Sequence, residues 1–367
     1  MAAKLLNGMP DNPNQQYFDF DQYLRQGEPD AADNAKQWSA AIGLQAVDGL
    51  KPSQYLIDTA RRNIEGEISI DEVQELLRSY YANEANRSKV EAEEEADKAS
   101  INIKRILSTR TLAFNTNGLI SIHRRIFEGV FSHAGELRKY DITKKEWVLK
   151  GDTVNYLNWE DIRRAIDYDI EQEKEFSYKG LSDAEKIKHL CRFTAGLWQI
   201  HPFCEGNTRT TAVFLIQYLR SVGYEVNNDL FAHNSWYFRN ALVRANYKNS
   251  ELGIDYDYQY LERFFANLLF GAEYELKNRF MIINAPDNWN STQEKGESTQ
   301  ESAPKIRKST QEKVLDEIKR NPSTTRQQLA EKIGITPDGI KKQLDRLKKN
   351  GLIKHVGPTK GGHWEVI

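Results

Sequence analysis

The sequence predicts a mainly α fold in two parts: a long helical core interrupted by one β-hairpin, then a polar linker and a small domain of three helices and two strands. Three observations lead there. Residues 183–200 and 210–222 carry apolar side chains (Ile187, Leu190, Phe193, Leu197 and Trp198; Val213, Phe214, Ile216, Tyr218 and Leu219) at helical spacing and over too wide an arc for surface elements. Residues 145–156 set two β-rich runs about Gly151-Asp152. Residues 286–308, dominated by Ser, Thr, Gln, Glu and Lys, are a low-complexity linker before a tail of different composition.

At 367 residues, with 39% hydrophobic and 28% charged residues, the chain has material for two or three soluble domains. No apolar run reaches the roughly 18 residues of a membrane helix, and the N-terminus lacks a basic-then-apolar signal pattern. A cytoplasmic protein with no membrane partner is therefore expected. Cys191 and Cys204 make neither a metal-ligand spacing nor a disulfide framework. The formal net charge of −2 hides an asymmetry: from Pro304 onward there are 15 Lys/Arg against 7 Asp/Glu, about +8, leaving about −10 for the rest.

In chain order, residues 1–30 mix Asn, Gln, Asp and Pro with Tyr17, Phe18, Phe20 and Tyr23 and predict a lightly structured arm. Helices follow over 33–49, 53–65 and 70–81; Pro52 and Ser53 open the second, Asp71 and Glu72 favour the start of the third. Residues 82–100 are strongly charged and predict a solvated helix. A helix over 111–131 holds Ile120, Ile122, Ile126 and Phe127 and leads to His133-Ala134-Gly135-Glu136-Leu137-Arg138, where Arg138 is expected to be structural. After the hairpin and the two core helices come a loop over 224–230, a helix over 234–247 and a last apolar helix over 257–275.

Between the two core helices stands His201-Pro202-Phe203-Cys204-Glu205-Gly206-Asn207-Thr208-Arg209-Thr210-Thr211. Gly206 and Asn207 suit a turn that tolerates positive φ and deliver free N–H groups to the start of the next helix, an anion site best matched to phosphate. Arg209 adds a forked, permanently charged donor. Glu205 repels phosphate, so beside such a cradle it makes sense as a Mg²⁺ ligand. His201 lies just ahead, where a neutral imidazole takes a proton from an attacking hydroxyl. Taken singly, a His-Pro pair is usually a helix terminus and Glu-Gly-Asn a surface turn. Together, between two apolar helices, they point to chemistry.

This stretch closely resembles the Fic family signature, His-Pro-Phe-x-(Asp/Glu)-Gly-Asn-Gly-Arg-x-x-Arg. The resemblance implies a Fic-type helical core that transfers AMP from ATP to a hydroxyl side chain of a target protein, another chain or itself. It implies His201 as general base, Glu205 as the holder of Mg²⁺, and Gly206, Asn207, Thr208 and Arg209 as the turn that binds the phosphates of ATP. Two positions depart from the pattern. Thr208 stands where the family usually has Gly, and Ala212 where it usually has a second Arg that holds the terminal phosphate. Thr208 is expected to narrow the cradle, its hydroxyl standing in for a lost contact. A phosphorylating branch of the family also departs at that glycine, so phosphoryl transfer stays open beside AMP transfer. So does a lapsed site in a nucleotide-sensing, DNA-binding regulator. Retention of His201 favours an enzyme, because sensing needs the cradle but no base.

The resemblance assigns further roles. The hairpin matches the family's flap, whose edge holds the target's hydroxyl segment by strand addition, and Trp147, Val148, Leu149 and Lys150 are expected to select it. Arg239-Asn240-Ala241-Leu242-Val243-Arg244-Ala245-Asn246 resembles the helix that closes over the base. Asn246 is then the expected adenine or ribose contact and Tyr237 or Phe238 its stacking partner, with core packing the alternative for both aromatics. Ala46-Val47-Asp48-Gly49-Leu50-Lys51-Pro52-Ser53, followed by Gly66-Glu67-Ile68-Ser69, resembles the small antitoxin modules that inhibit Fic enzymes through a Ser/Thr-x-x-x-Glu-Gly motif. Leu44-x-x-x-Asp48-Gly49 and Arg61-x-x-x-Glu65-Gly66 come near it without the Ser or Thr. Asp48 and Glu65 are the candidate inhibitory residues, although the guanidinium they would pair with is replaced by Ala212.

The tail predicts helices over 310–320, 325–333 and 337–350, then strands at 352–356 and 363–367 around a Gly-rich turn, and it resembles a winged helix-turn-helix. Its positive balance is the usual footprint of phosphate-backbone contact and makes DNA the expected partner. Lys341, Lys342, Arg346, Lys348 and Lys349 would lie on the recognition helix, with Lys360 on the wing. The expected organisation is an antitoxin-like helical region at 1–100, a Fic-type catalytic core at 101–285, a linker at 286–308 and a winged-helix domain at 309–367. A homodimer stays open.

Overall fold

The computed structural model of the chain describes residues 19–26, 29–83, 91–226, 228–284, 310–322, 324–333, 340–341, 343–344, 347–348, 352–356 and 363–366. It divides into two units, Met1–Glu301 and Ser302–Ile367, each described by itself. Both are mainly helical. Among the described residues no helix is long and apolar enough to cross a membrane.

The first unit is built on helix α8 (Asp183–Ile200) and helix α9 (Asn207–Ser221). Helix α8 starts where a capping box places it: Ser182 Oγ accepts the Glu185 N–H while the Glu185 carboxylate accepts the Ser182 N–H. In α9 every residue from Asn207 to Leu219 is buried, so this helix is the axis of the core. Around the pair lie α6 (Thr116–Phe127), α7 (Ile162–Glu175), α10 (Asn228–Ala245) and α11 (Gln259–Phe270). The expected helix over 111–131 is shorter because Asn115 caps it, its side chain accepting the Gly118 N–H.

The N-terminal helices α1 (Asp21–Gln26), α2 (Pro29–Gly43), α3 (Gln54–Ile64) and α4 (Ile70–Ala82) close around Phe20, Trp38, Ile42, Leu56, Ile57, Val73 and Leu77. The end of the expected arm is thus ordered, with Phe20 buried in this cluster. The helix expected over 33–49 stops at Gly43 and continues as a 3-10 turn, Leu44–Asp48, closed by Gly49 at φ 70°. Gly43 meets α10 so closely that an added Cβ would lie 2.2 Å from the Ala232 carbonyl oxygen, and Ser235 Oγ donates to Gly43 O at 2.6 Å. Helix α5 (Glu91–Leu107) runs through residue 100 and buries Ala96, Asp97, Ala99, Ser100, Ile101 and Ile103. It was expected as a solvated helix; instead one face is core, packed against α2, α4 and α6.

The segment 145–156 forms no strand ladder. Glu146 N–H donates to Asp152 O at 2.8 Å, as the base of a hairpin would, but between them Trp147–Leu149 is a 3-10 turn ended by Lys150 at φ 52°. A strand would send Val148 and Leu149 to opposite faces. Both are fully buried, so burial of two consecutive side chains overrides the β pattern.

In the second unit α12 (Thr310–Arg320), α13 (Arg326–Ile333) and the helical residues Ile340, Leu344 and Leu347 enclose Val314, Ile318 and Leu329. Strand β1 (Ile353–Val356) pairs antiparallel with β2 (His363–Val366), Ile353 opposite Val366. Lys341 and Lys348 are exposed on the third helical segment; Lys342, Arg346, Lys349 and Lys360 lie outside the described residues.

Candidate active site

Helix α8 ends at His201, whose backbone is left-handed (φ 48°, ψ 60°), a conformation that costs a non-glycine residue roughly 1 kcal/mol or more. Arg138 holds it there. Its Nε donates to His201 O at 2.7 Å, one Nη to Ile200 O at 3.2 Å, and its backbone N–H to Pro202 O at 2.9 Å. This is the structural role expected of Arg138. The imidazole is boxed by the rings of Tyr156 and Trp198, with centroids 4.3 and 5.1 Å away. Its Nδ1 lies 3.3 Å from Trp198 O, and its Nε2 is buried with no hydrogen-bond partner. Burial holds the ring well below the usual histidine pKa, and the charges of Lys144 and Arg239 push the same way. A neutral ring with its proton on Nδ1, donated to Trp198 O, leaves a lone pair on Nε2. That is the state of a general base.

The turn after it is built by its own side chains. Asn207 Oδ1 accepts the Phe203 N–H at 2.9 Å and its Nδ2 donates to Phe203 O at 2.7 Å, closing the loop at the start of α9. Gly206 sits at φ 70° with the Phe127 ring beneath it, an added Cβ lying 2.1 Å from Cζ, so only glycine fits. His123 stacks on Phe203 at 3.7 Å; its Nδ1 accepts the Gly135 N–H at 2.8 Å, so its Nε2–H donates to Glu205 O at 3.1 Å. Thr208 differs from expectation. Its hydroxyl is buried and accepts the Trp198 indole N–H at 2.9 Å, tying α9 to α8 rather than narrowing the cradle. Glu205 has one oxygen, Oε1, buried without a partner, and the other 3.8 Å from Lys144 Nζ. Burial raises its pKa to about 7.

Arg209 is fully buried and engaged by the N-terminal helices. Its Nη1 donates to Gln45 Oε1 at 2.9 Å, its Nη2 to Glu95 Oε1 at 2.8 Å, and its Nε lies 2.8 Å from Asp48 Oδ2. The guanidinium also stacks 4.7 Å over the Phe127 ring. Asp48 therefore reaches the first turn of α9, on Arg209 rather than at position 212. Glu65 does not: it caps α3 and accepts the Tyr23 hydroxyl near the surface.

Several expected contacts fall elsewhere. Asn246 Nδ2 donates to Ala195 O and Leu242 O, both at 3.0 Å, so its amide ties α10 to α8. Tyr237 and Phe238 are core residues; Phe238 packs on Phe231 and Phe264, and Tyr237 donates to Tyr260 O. Val148 and Leu149 face the core, leaving half-buried Trp147 and exposed Lys150 on the flap surface. Sequence reading missed Gln45, Glu95, His123, Lys144 and Tyr156. The charged run around Glu95 gave a signal, but the site partner was not visible in it.

Residues 113–219 match the Fic/DOC family model, and residues 307–354 match the winged helix-turn-helix DNA-binding model. The chain therefore carries a Fic/DOC domain followed by a winged helix-turn-helix domain. Among curated proteins, it is 27% identical over 139 residues to the protein adenylyltransferase VbhT of Bartonella schoenbuchensis, a match covering 38% of this chain and 27% of that one. It is 27% identical over 120 residues to the probable protein adenylyltransferases Fic of Escherichia coli and of Salmonella typhimurium, covering 32% of this chain and 56% of each. It thus spans only part of each relative's length. A Fic family protein from Desulfovibrio desulfuricans G20 superposes over 95% of this chain and 90% of its own at 11% identity with a TM-score of 0.43, too distant to add weight.

Proposed function

We propose that the chain transfers AMP from ATP to a hydroxyl side chain of a target protein. The observation that carries this reading is the buried, unpartnered Nε2 of a neutral His201, placed just ahead of the N-terminus of α9. In this reading the attacking hydroxyl gives its proton to Nε2 as its oxygen bonds to the α-phosphorus, and pyrophosphate leaves. The first-turn N–H groups of α9 have no intrahelical partners and bind phosphate oxygens. Glu205 Oε1 is the buried donor that a magnesium ion would use, and the ion, when bound, supplies neutralising charge to the phosphates. Among the described residues no group of three or more His, Cys, Asp or Glu side chains could hold a metal.

A second reading is favoured by the Asp48–Glu95–Gln45 grip on Arg209, which withholds that guanidinium from phosphate. A chain locked in this state would bind nucleotide weakly and act through its winged helix, whose balance of about +8 suits duplex DNA. Incubation with ATP labelled on the α- or the γ-phosphate, beside His201→Ala, separates the readings. Protein-bound label from α-ATP, at least about a hundredfold lower in the variant, is the expected result, by the scale of general-base catalysis. Label from γ-ATP alone would mean phosphoryl transfer. No label from either, with ATP bound, would leave the regulator.

A further inference from the structure

We propose that Lys144 is a donor-site residue whose ammonium contacts the phosphates of the nucleotide. The assignment deepens the nucleotide-transfer reading and rests on it. Residues 141–146 lie outside helix and strand, with Glu146 extended, and their burial alternates: Ile142 and Lys144 are half-buried and Glu146 is buried, while Thr143 and Lys145 are exposed. That period of two turns Lys144 inward. Its place is set from both sides. The Lys144 N–H donates to Thr153 Oγ1 at 3.3 Å, and two residues on, the Glu146 carboxylate is gripped by both Nη atoms of Arg239 and by the Tyr156 hydroxyl. Tyr156 is the ring that lies against His201.

A polyphosphate needs cations, and the other cations here are committed. Arg209 spends its guanidinium on Gln45, Asp48 and Glu95, and Arg138 spends its own on the carbonyls of His201, Tyr140, Leu157 and Ile200. Arg239 is bound in bidentate fashion to a Glu146 carboxylate that is 0% exposed. Lys144 instead makes a long contact, 3.8 Å to Glu205 Oε2, with a fifth of its side chain exposed. Among the neighbouring charges its own acts most strongly on both His201, whose Nε2 has no partner, and Glu205, whose Oε1 has none. An ammonium on a flexible stem can leave that carboxylate for a phosphate oxygen, at the cost of one weak ion pair.

Lys144→Met keeps the apolar stem and removes the charge, and Lys144→Arg restores it. Calorimetric titration of the full chain with Mg²⁺–ATP and with adenosine gives the test, with thermal unfolding to confirm that each variant folds. The methionine variant is expected to bind Mg²⁺–ATP roughly tenfold or more weakly, the scale of one charge-assisted hydrogen bond, with adenosine binding unchanged. The arginine variant should recover most of the loss. Equal Mg²⁺–ATP affinity in Lys144→Met, or a parallel loss of ATP and adenosine, would overturn the assignment. A wild-type chain that binds ATP yet transfers no label would remove the transfer reading alone. One that binds no nucleotide would remove both.

Discussion

His201 and His123 are both neutral in the folded chain, and burial is the cause in each: His123 is pushed down to about 3 and His201 well below its usual range. As pH falls below about 6.5, unfolded chains take a proton on each ring that folded chains refuse, so these two histidines remove stability on the acid side. Asp97 and Glu205 act the other way. Their pKa values are raised by burial from 3.8 to about 6 and from 4.5 to about 7, so between those limits the folded chain holds the extra protons and loses stability as pH rises. The pairs offset each other between roughly pH 4.5 and 6, and only the histidines remain below about 4. Unfolding free energies from urea titrations are therefore expected to be nearly flat across the first window. They should then fall by about 1.4 kcal/mol per pH unit for each histidine below it. A steady decline from pH 6.5 would mean that Asp97 and Glu205 stay charged in the folded chain.

Among the elements, the 3-10 turn Leu44–Asp48 and helix α5 converge on Arg209 with two carboxylates and an amide. In the proposed reading phosphate and these carboxylates compete for one guanidinium, so loosening the grip helps the nucleotide. Asp48→Asn with Glu95→Gln is expected to raise ATP affinity and α-label transfer by roughly 5- to 150-fold, the span of a coupling of about 1–3 kcal/mol. Unchanged affinity would make the grip a packing device. The convergence also marks what sequence could and could not reveal. The turn from His201 to Arg209 was legible as one cluster because its residues are contiguous, and helix α8 was legible to the residue because a capping box states its start. Glu95 and Lys144 reach the site from 114 and 65 positions away from Arg209, through tertiary packing that no local pattern encodes. Tyr237 and Phe238 stayed open between base contact and core packing for the opposite reason. An aromatic pair on a helix reads alike whether it faces a base or a core, and here Phe231 and Phe264 claim Phe238 while Tyr237 donates to Tyr260 O. At 145–156 the β propensity was real, but Val148 and Leu149 needed burial on the same side.

For the molecule as a whole, the division of charge says more than its sum. The net −2 is made of about +8 from Pro304 onward and about −10 before it, so the tail carries the net positive charge that attracts a long polyanion. Within the tail the apolar side chains Ile340, Leu344 and Leu347 turn inward, and the exposed Lys341 and Lys348 share their helical segment on the outer side. The ammonium of Lys348 also lies 5.0 Å over the ring of Trp364 on β2, so part of its charge is spent on a cation–π contact. Lys341 is the better probe of phosphate contact. Fluorescence anisotropy of labelled duplex DNA with the full chain, over roughly 50 to 200 mM salt, should show log affinity falling linearly with log salt. Lys341→Ala should weaken binding to all sequences alike and reduce that slope by about 0.9, the share of one phosphate contact, while leaving ATP binding unchanged. Binding that ignores salt, or an unchanged slope in the variant, would take Lys341 off the DNA-facing side. Salt-insensitive binding would in addition mean that the positive tail serves a protein partner, because a field that attracts a polyanion does not distinguish duplex from acidic surface, whereas counterion release does.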